Sequence, residues 1–397
     1  MSEQKKSRGA AGALVCQLVL GIFMLAVTVV ILYYQKPWSS EDRKGLVSAV
    51  IFLGVCLLIY LQYLIHSLGL LFFGKISGCR LLGFRFGPWM WVKKKDGMYC
   101  QKVPGFGKAA CTMVPPEGEN PALLWLLGGG LFCFLVSGIF LVPVLVSGDR
   151  NLITCLCSLG AFLGFVYGLR GIFPFPGDGE NSAHLFWLLH GRPELKKRWR
   201  NTLLITEQAG QDVRLRDMPE DLFSLTGEPE QKNSVGTLYT VYYCQYQMDK
   251  GNYGEAEQLL QKLLESGAVP ASMEYLVKMD LLTCKLLQIQ WSVGESENPA
   301  ENVPQEELER IYNESLMREM QRRPQSLEVL RTRYLVALLW NKNLEDAEAI
   351  KERFEEMASA YPHSADAQSE REYMEAGDGI FAGAAGGNTG TDSGRVM

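Results

Sequence analysis

The chain has 397 residues, which is enough for two or three domains. Its formal net charge of -5 argues against nucleic-acid binding as its main role. The ten cysteines include no C-x-x-C pair and no Cys/His cluster at zinc spacing, so we do not expect a disulfide framework. The first half is almost continuously apolar and the second half is polar and charged. This division predicts an integral membrane protein with a soluble second half.

Four apolar segments are long enough to cross a bilayer as helices. The hydrocarbon core of a bilayer is about 30 Å thick and needs about twenty apolar residues in an α-helix. The segments are Gly12–Tyr34, Leu46–Phe73, Pro121–Ser147 and Asn151–Phe173. The first is too long for the core of a signal peptide and is followed by further spans, so we expect it to be retained. The sequence therefore predicts a bundle of four membrane spans.

Positive charges flank these spans unevenly. Lys and Arg residues accumulate in short cytoplasmic loops, so their positions predict orientation. They cluster at the N-terminus (Lys5, Lys6, Arg8), in the loop after the second span (Lys75 to Lys108) and at the start of the polar half (Lys196 to Arg200). With four spans, all three clusters lie on one side. We therefore predict a multi-pass protein of the cell membrane with both termini in the cytoplasm.

The loop from Gly74 to Glu119 is rich in glycine and aromatic residues. Alternation of residue types around Leu82–Val92 predicts a short strand pair, a β-hairpin, at the membrane interface. Trp and Tyr favour that depth. An ordinary belt of interfacial aromatic residues is the alternative interpretation.

Two ionisable side chains lie near the ends of predicted spans. His66 is in the cytoplasmic third of the second span, and Asp178 follows the fourth span in the proline- and glycine-containing segment Phe173–Gly179. Ionisable groups within a span are costly and are therefore candidates for function. Taken alone, His66 could be a hydrogen-bonded interior histidine and Asp178 a turn residue. Because both lie toward the same side of the membrane, they could belong to one site.

This arrangement resembles that of the site-2 proteases, a family of intramembrane zinc metalloproteases. The family has H-E-x-G-H in one span and an Asp-Gly, preceded by prolines, at a later one. Two His and the Asp bind zinc, and the Glu is the general base. Here the frame is His66–Leu70, in which His66 and Gly69 match, and Gly74–Gly87 is similar to the segment that follows the motif. The resemblance covers Gly45–Trp187.

The chain departs from the family pattern at the positions that perform the chemistry. Ser67 stands at the position of the Glu, Leu70 at that of the second His, and Gly171 at that of an Asn. Only His66 and Asp178 remain of the metal ligands, as a remnant site, and no catalytic residue is identified. Because zinc catalysis needs three protein ligands and a base, the resemblance implies a non-catalytic pseudoprotease without a cofactor. Zinc is expected only if an active, divergent protease is the correct interpretation.

Three consecutive glycines, Gly128–Gly130, begin the predicted third span. Small residues let membrane helices approach closely. These glycines could accept a bound substrate helix, or they could pack the protein's own spans together.

The polar half is predicted to be helical. Two helix pairs resemble tetratricopeptide-type repeats. In each pair a short polar turn joins the two helices, and an acidic residue followed by an alanine comes soon after the turn. The predicted helices are Leu238–Met248, Glu255–Glu265, Met273–Ile289, Glu306–Arg322, Tyr334–Trp340 and Glu345–Tyr361. The stretch Gly377–Met397 is rich in Gly, Ser and Thr and is predicted to be disordered.

The sequence therefore predicts an all-α protein in three parts. Residues 1–187 form a membrane domain, 188–376 a cytoplasmic helical domain and 377–397 a disordered tail. The leading functional hypothesis is a pseudoprotease that binds a transmembrane or cytoplasmic protein, in contact with membrane lipid and not with nucleic acid. The alternatives are an active zinc protease and a structural or transport-related membrane protein.

Overall fold

The computed structural model describes residues 41–94, 97–116, 123–147, 151–174, 182–224, 233–267, 269–288, 305–359, 361 and 363–386. The chain divides into two compact units between Lys196 and Lys197. The first unit contains long apolar helices and a two-stranded antiparallel sheet, and the second is helical. Helices therefore dominate the fold, as the sequence predicts. The predicted first span, Gly12–Tyr34, lies outside the described residues.

Three helices of the first unit are long and apolar enough to cross a membrane. The helices are α1 (Glu41–Ile76), α2 (Gly128–Ser147, continuing a 3₁₀ turn at Leu124–Leu127) and α3 (Leu152–Ile172). They correspond to the predicted second, third and fourth spans. A short helix, α4 (Ser182–Leu189), follows them. By length and composition, three of the four predicted spans are confirmed as candidate membrane helices, and the crossing itself remains a prediction.

The start of α3 shows why the chain becomes helical where it does. The Asn151 side chain accepts a hydrogen bond from the Thr154 amide, and the Thr154 hydroxyl accepts one from the Asn151 amide. This capping box satisfies two amides that a helix start leaves unpaired. Further along, Ser137 of α2 donates to the Ala161 carbonyl oxygen at 2.6 Å and links the two helices. Buried glycines of α3, such as Gly164, allow that close approach.

Exposed large apolar side chains are concentrated in the first unit. On α2 they include Leu135, Ile139 and Val142, which recur along one face of the helix. In the described part of the second unit, only Met317 and Leu344 are large apolar residues with exposed side chains. A soluble protein rarely exposes so extensive an apolar surface. The first unit is therefore suited to association with a membrane.

The predicted hairpin is longer than the sequence indicated. All of Leu82–Val92 lies in one strand, β1 (Arg80–Lys94), and its partner β2 (Gly97–Val114) follows it. The prediction was therefore wrong about the extent of the strand pair, because the pairing partner lies beyond the alternating segment. Whether the hairpin lies at a membrane interface remains a prediction.

The hairpin is bent so that β1 doubles back at Gly87. Gly87 has a φ of +59°, which favours glycine, and the strand register shifts on both sides of it. Beyond the bend, the Trp91 carbonyl oxygen lies 3.4 Å from the position that a Cβ of Gly83 would take. The rings of Phe84 and Trp91 are 6.1 Å apart. Positions 83 and 91 of one strand are therefore neighbours.

The second unit is built from helices that pack around one apolar core. Its helices are α5 (Pro193–Gly210), α6 (Ser234–Asp249), α7 (Tyr253–Glu265), α8 (Ala271–Leu287), α9 (Gln305–Ile311), α10 (Glu314–Gln321), α11 (Leu327–Leu335), α12 (Leu344–Ser359) and α13 (Ser364–Gly386). A π-helical turn, Val336–Trp340, continues α11. Helix α5 starts four residues before the division between the units. The repeat character of this unit remains a prediction.

Three predicted boundaries differ from the structure, and one of them is the helix predicted for Tyr334–Trp340, which already begins at Leu327. The single helix predicted for Glu306–Arg322 is two helices, because the Asn313 side chain accepts a hydrogen bond from the Leu316 amide and starts α10 there. The predicted disordered tail begins inside α13, which remains helical through Gly386. Residues 387–397 lie outside the described part.

Contacts with the core explain why α13 extends into the predicted tail. Gly377 lies against Leu335, since a Cβ at Gly377 would be 2.5 Å from a Leu335 methyl carbon. Asp378 accepts a hydrogen bond from the Tyr334 hydroxyl and pairs with Lys351 at 2.7 Å. Ile380 and Phe381 also pack on the core. Tertiary contacts of this kind stabilise a helix whose own propensity is low.

Candidate functional site

The side chain of His66 is held between glycines of the two neighbouring apolar helices. A Cβ built on Gly129, at the start of α2, would lie only 2.6 Å from Nε2 of His66. A Cβ built on Gly171, in the last turn of α3, would lie 3.3 Å from the same nitrogen. A side chain at Gly129 would therefore collide with the imidazole ring, and one at Gly171 would have very little room. The ring therefore fills a cradle formed by α2 and α3.

The glycine run Gly128–Gly130 packs the protein's own helices. Gly128 lies against Phe73, and a Cβ there would be 2.5 Å from the Phe73 Cβ. Gly130 meets the backbone of Gly171, since a Cβ added to Gly171 would lie 2.5 Å from the Gly130 Cα. Of the two interpretations of this run, the structure supports internal packing. All three helices converge at the cradle because these positions lack side chains.

The two positions where the chain departs from the protease motif are buried. Ser67 is 2% exposed and Leu70 is 8% exposed. Gly69 lies between them and packs against α2, where a Cβ would be 2.8 Å from the Gly128 carbonyl oxygen. A serine hydroxyl does not accept a proton near neutral pH, and a leucine cannot bind metal. Neither position supplies the chemistry that the family's motif provides.

A second buried polar residue, Gln62, lies one helical turn before His66. It is fully buried, and its Nε2 donates to the Gly160 carbonyl oxygen at 3.3 Å. Its Oε1 has no hydrogen-bond partner in the described part of the chain. Next to Gln62 on α1, the ring of Tyr63 meets the ring of Tyr167 of α3 edge to face, with 5.2 Å between the ring centroids. We did not predict that Gln62 and His66 form a polar pair on one face of α1. A Gln four residues before a His in an apolar helix is a sequence signal for such a pair.

The other predicted ligand, Asp178, belongs to the segment that follows α3. Asp178 lies outside the described residues, as does the Pro/Gly turn around it from residue 175 onward. Among the residues that are described, no group of three or more His, Cys, Asp and Glu side chains could hold a metal ion. The pairing of His66 with Asp178 in a remnant site stays a prediction.

The second unit holds two clusters of buried charges. Arg331 pairs with Asp280 at 3.0 Å, and it lies 2.8 Å from an oxygen of Glu370, a carboxyl group whose pKa burial raises to about 8; all three side chains are buried or nearly so. Arg214 pairs with Asp249 at 2.6 Å and with Glu372 at 2.5 Å. Buried ions need such partners, because removing one would leave an unpaired charge in a medium of low dielectric.

These charges connect segments that are far apart along the chain. The pairs link α11 to α8 and α13, and the segment after α5 to α6 and α13. We therefore assign these clusters a role in the packing of the second unit.

Comparison of the chain with family models, with curated proteins and with solved structures gives no match. The structural conclusion is therefore architectural: three candidate membrane helices converge on a glycine cradle that holds His66, and a separate helical unit follows them.

Proposed function

We propose that this protein is a multi-pass membrane protein, similar to the site-2 proteases, that binds a partner protein without cutting it. Three long apolar helices and their exposed apolar side chains support membrane insertion. The Lys/Arg clusters support an orientation with both termini in the cytoplasm. A fourth span at Gly12–Tyr34 completes this topology.

One observation carries the non-catalytic part of the proposal. The imidazole of His66 is confined by Gly129 and Gly171, and the neighbouring motif positions are the buried Ser67 and Leu70. An imidazole in such a cradle contributes packing between helices. With one His and one Asp left as ligands, any metal site would be far weaker than one with three ligands. No base would then activate a metal-bound water.

The zinc content of the purified full chain tests this proposal. We expect well below one zinc ion per chain, and no cleavage of a co-expressed transmembrane substrate. The double variant Ser67→Glu/Leu70→His, which restores the missing residue types, is the matched comparison for metal binding. One zinc ion per wild-type chain, with cleavage abolished by Asp178→Asn, would show that the protein is an active protease.

The second unit is the proposed binding module for a cytoplasmic partner. Paired helices provide extended surfaces that typically bind peptides or proteins. Its exposed surface is largely polar, which suits a reversible contact rather than a permanent one. Cross-linking in intact membranes should yield a defined protein partner with the full chain. That partner should be lost when residues 305–386 are deleted and retained when zinc is chelated.

A further inference from the structure

The bent hairpin presents one face whose composition is unusual. Strand register places directly opposite residues on the same face of a two-stranded sheet. In the part beyond the bend, the pairs Trp89 with Lys102, Trp91 with Cys100, and Lys93 with Met98 alternate with the pairs on the other face. We refer to these six residues as the outer ribbon face. Two of its three pairs combine a large apolar side chain with a lysine.

At the centre of the outer ribbon face, the ring of Trp91 lies 6.1 Å from that of Phe84, and the residues around it are more open. Met90, on the opposite face, turns inward, and its terminal methyl carbon is 3.8 Å from the position of a Gly83 Cβ. On the outer ribbon face, Trp89 is 48% exposed and Met98 is 47% exposed, and Lys102 is exposed as well. Large apolar side chains are thus displayed beside cations on an open surface.

The charge of this hairpin is strongly one-sided. Between Arg80 and Val114 the sequence has seven Lys and Arg residues and a single acidic residue, Asp96. In the part of the chain that the structure describes, neither Lys93 nor Lys102 forms an ion pair. Such a surface is complementary to an anionic partner.

The chemistry of the face identifies the kind of anion. Trp side chains favour the boundary between headgroups and acyl chains, where an apolar ring and a polar N–H are both accommodated. Lysines beside that boundary attract anionic headgroups. The hairpin follows directly after α1, which is apolar enough to cross a bilayer and ends at Ile76. Because β1 doubles back, the end of the hairpin near Lys93 returns toward the level of Arg80, close to the end of α1.

We propose that the outer ribbon face binds the headgroups of anionic phospholipids at the membrane surface. This inference rests on the proposed membrane insertion and extends it to a lipid class. Trp89 and Met98 contact the acyl boundary, and Lys93 and Lys102 contact the phosphates. The hairpin thereby acts as a lipid-selective contact between the membrane helices and the bilayer surface.

The test uses the full chain in nanodiscs of phosphatidylcholine with a minor fraction of photoactivatable phosphatidylglycerol. The measurement is the fraction of chains cross-linked through peptides from residues 80–114. Each lysine near an anionic surface contributes about a five-fold gain in lipid affinity. The variant Lys93→Gln/Lys102→Gln should therefore reduce the cross-linked fraction by an order of magnitude or more at limiting lipid. Trp89→Ser should reduce it without removing its dependence on salt.

The control variant Lys262→Gln/Arg353→Gln removes two exposed charges from the second unit and should leave the cross-linked fraction unchanged. Equal cross-linking of wild type and Lys93→Gln/Lys102→Gln, both correctly inserted, would overturn the lipid inference alone. If the wild-type chain does not insert into nanodiscs at all, the proposed membrane function fails, and the lipid inference fails with it.

Discussion

The side chain of His66 sets how closely three apolar helices approach one another. Its ring occupies space that Gly129 and Gly171 leave open, so the histidine and the glycines are complementary in shape. Interiors packed at this density tolerate neither added nor removed volume well. The same contacts explain a structural role for His66 that requires no metal.

Gly129→Ala should destabilise the first unit by about 1–3 kcal/mol, because the new methyl group would lie within 2.6 Å of the His66 ring. Thermal unfolding of the full chain in detergent measures the effect. Removing the ring in His66→Ala/Gly129→Ala should restore part of the loss. The matched control is Gly138→Ala in the same helix, where an added Cβ meets nothing within 4 Å. Equal thermal unfolding midpoints for Gly129→Ala and Gly138→Ala would contradict the close packing of Gly129 against His66.

At the scale of elements, α13 completes the second unit. Its last part contributes Asp378, which pairs with Tyr334 and Lys351, and Phe381, which packs on the core. A fragment of residues 193–386 should therefore fold as a helical domain. A fragment ending at residue 376 should be less stable by roughly 2–4 kcal/mol, as for the loss of a buried apolar contact and an ion pair. Far-ultraviolet circular dichroism during urea unfolding compares them, and coincident curves would contradict this role of α13.

Helix α13 also carries a carboxyl group whose ionisation opposes folding. Burial raises the pKa of Glu370 to about 8, the nearby Arg331 opposes the shift, and Glu328 and Asp280 increase it. The unfolded chain loses this proton near pH 4.5, so the folded state binds more protons between these values. The free energy of unfolding should therefore fall as the pH rises from about 4.5 to about 8, by at most about 1.4 kcal/mol per pH unit.

Glu370→Gln should reduce this pH dependence, because the amide stays neutral throughout, while Asp366, whose pKa burial raises to about 6, keeps part of it. Chemical unfolding of the 193–386 fragment at several pH values measures the change.

Glu372→Gln is the control on the same helix. There, the hydrogen bond from Arg214 lowers the pKa of Glu372, so its contribution to stability is present above pH 4.5 and is lost in acid. This control should be less stable than wild type at neutral pH, and its free energy of unfolding should still fall as the pH rises. An unchanged slope in Glu370→Gln would show that this carboxyl is already ionised in the folded state.

At the scale of the whole molecule, the distribution of charge predicts the topology. We expect four spans, with the three Lys/Arg clusters on the cytoplasmic side, and therefore both termini in the cytoplasm. A cysteine-reactive or epitope tag after residue 397 should become accessible only when the cell membrane is permeabilised. A tag inserted in the short connection at residues 148–150 should be accessible from outside. Access to the C-terminal tag in intact cells would contradict the proposed orientation.

The sequence by itself determined the features that depend on local composition. The apolar runs of α1, α2 and α3 were evident because twenty successive side chains decide whether a helix suits a bilayer. The helices on either side of the turn Lys250–Tyr253 were predicted within a few residues, since turn residues and helical periodicity are also local signals.

Only the tertiary structure decided which distant residues meet. The cradle around His66 depends on the approach of Gly129 and Gly171, and no local pattern in α1 specifies those partners. The doubling back of β1 at Gly87 and the continuation of α13 past Gly377 depend likewise on contacts with remote segments. Packing between distant segments selects among conformations that are nearly equal in local energy. For this reason the sequence predicted the helices correctly but not the contacts that give His66 its surroundings.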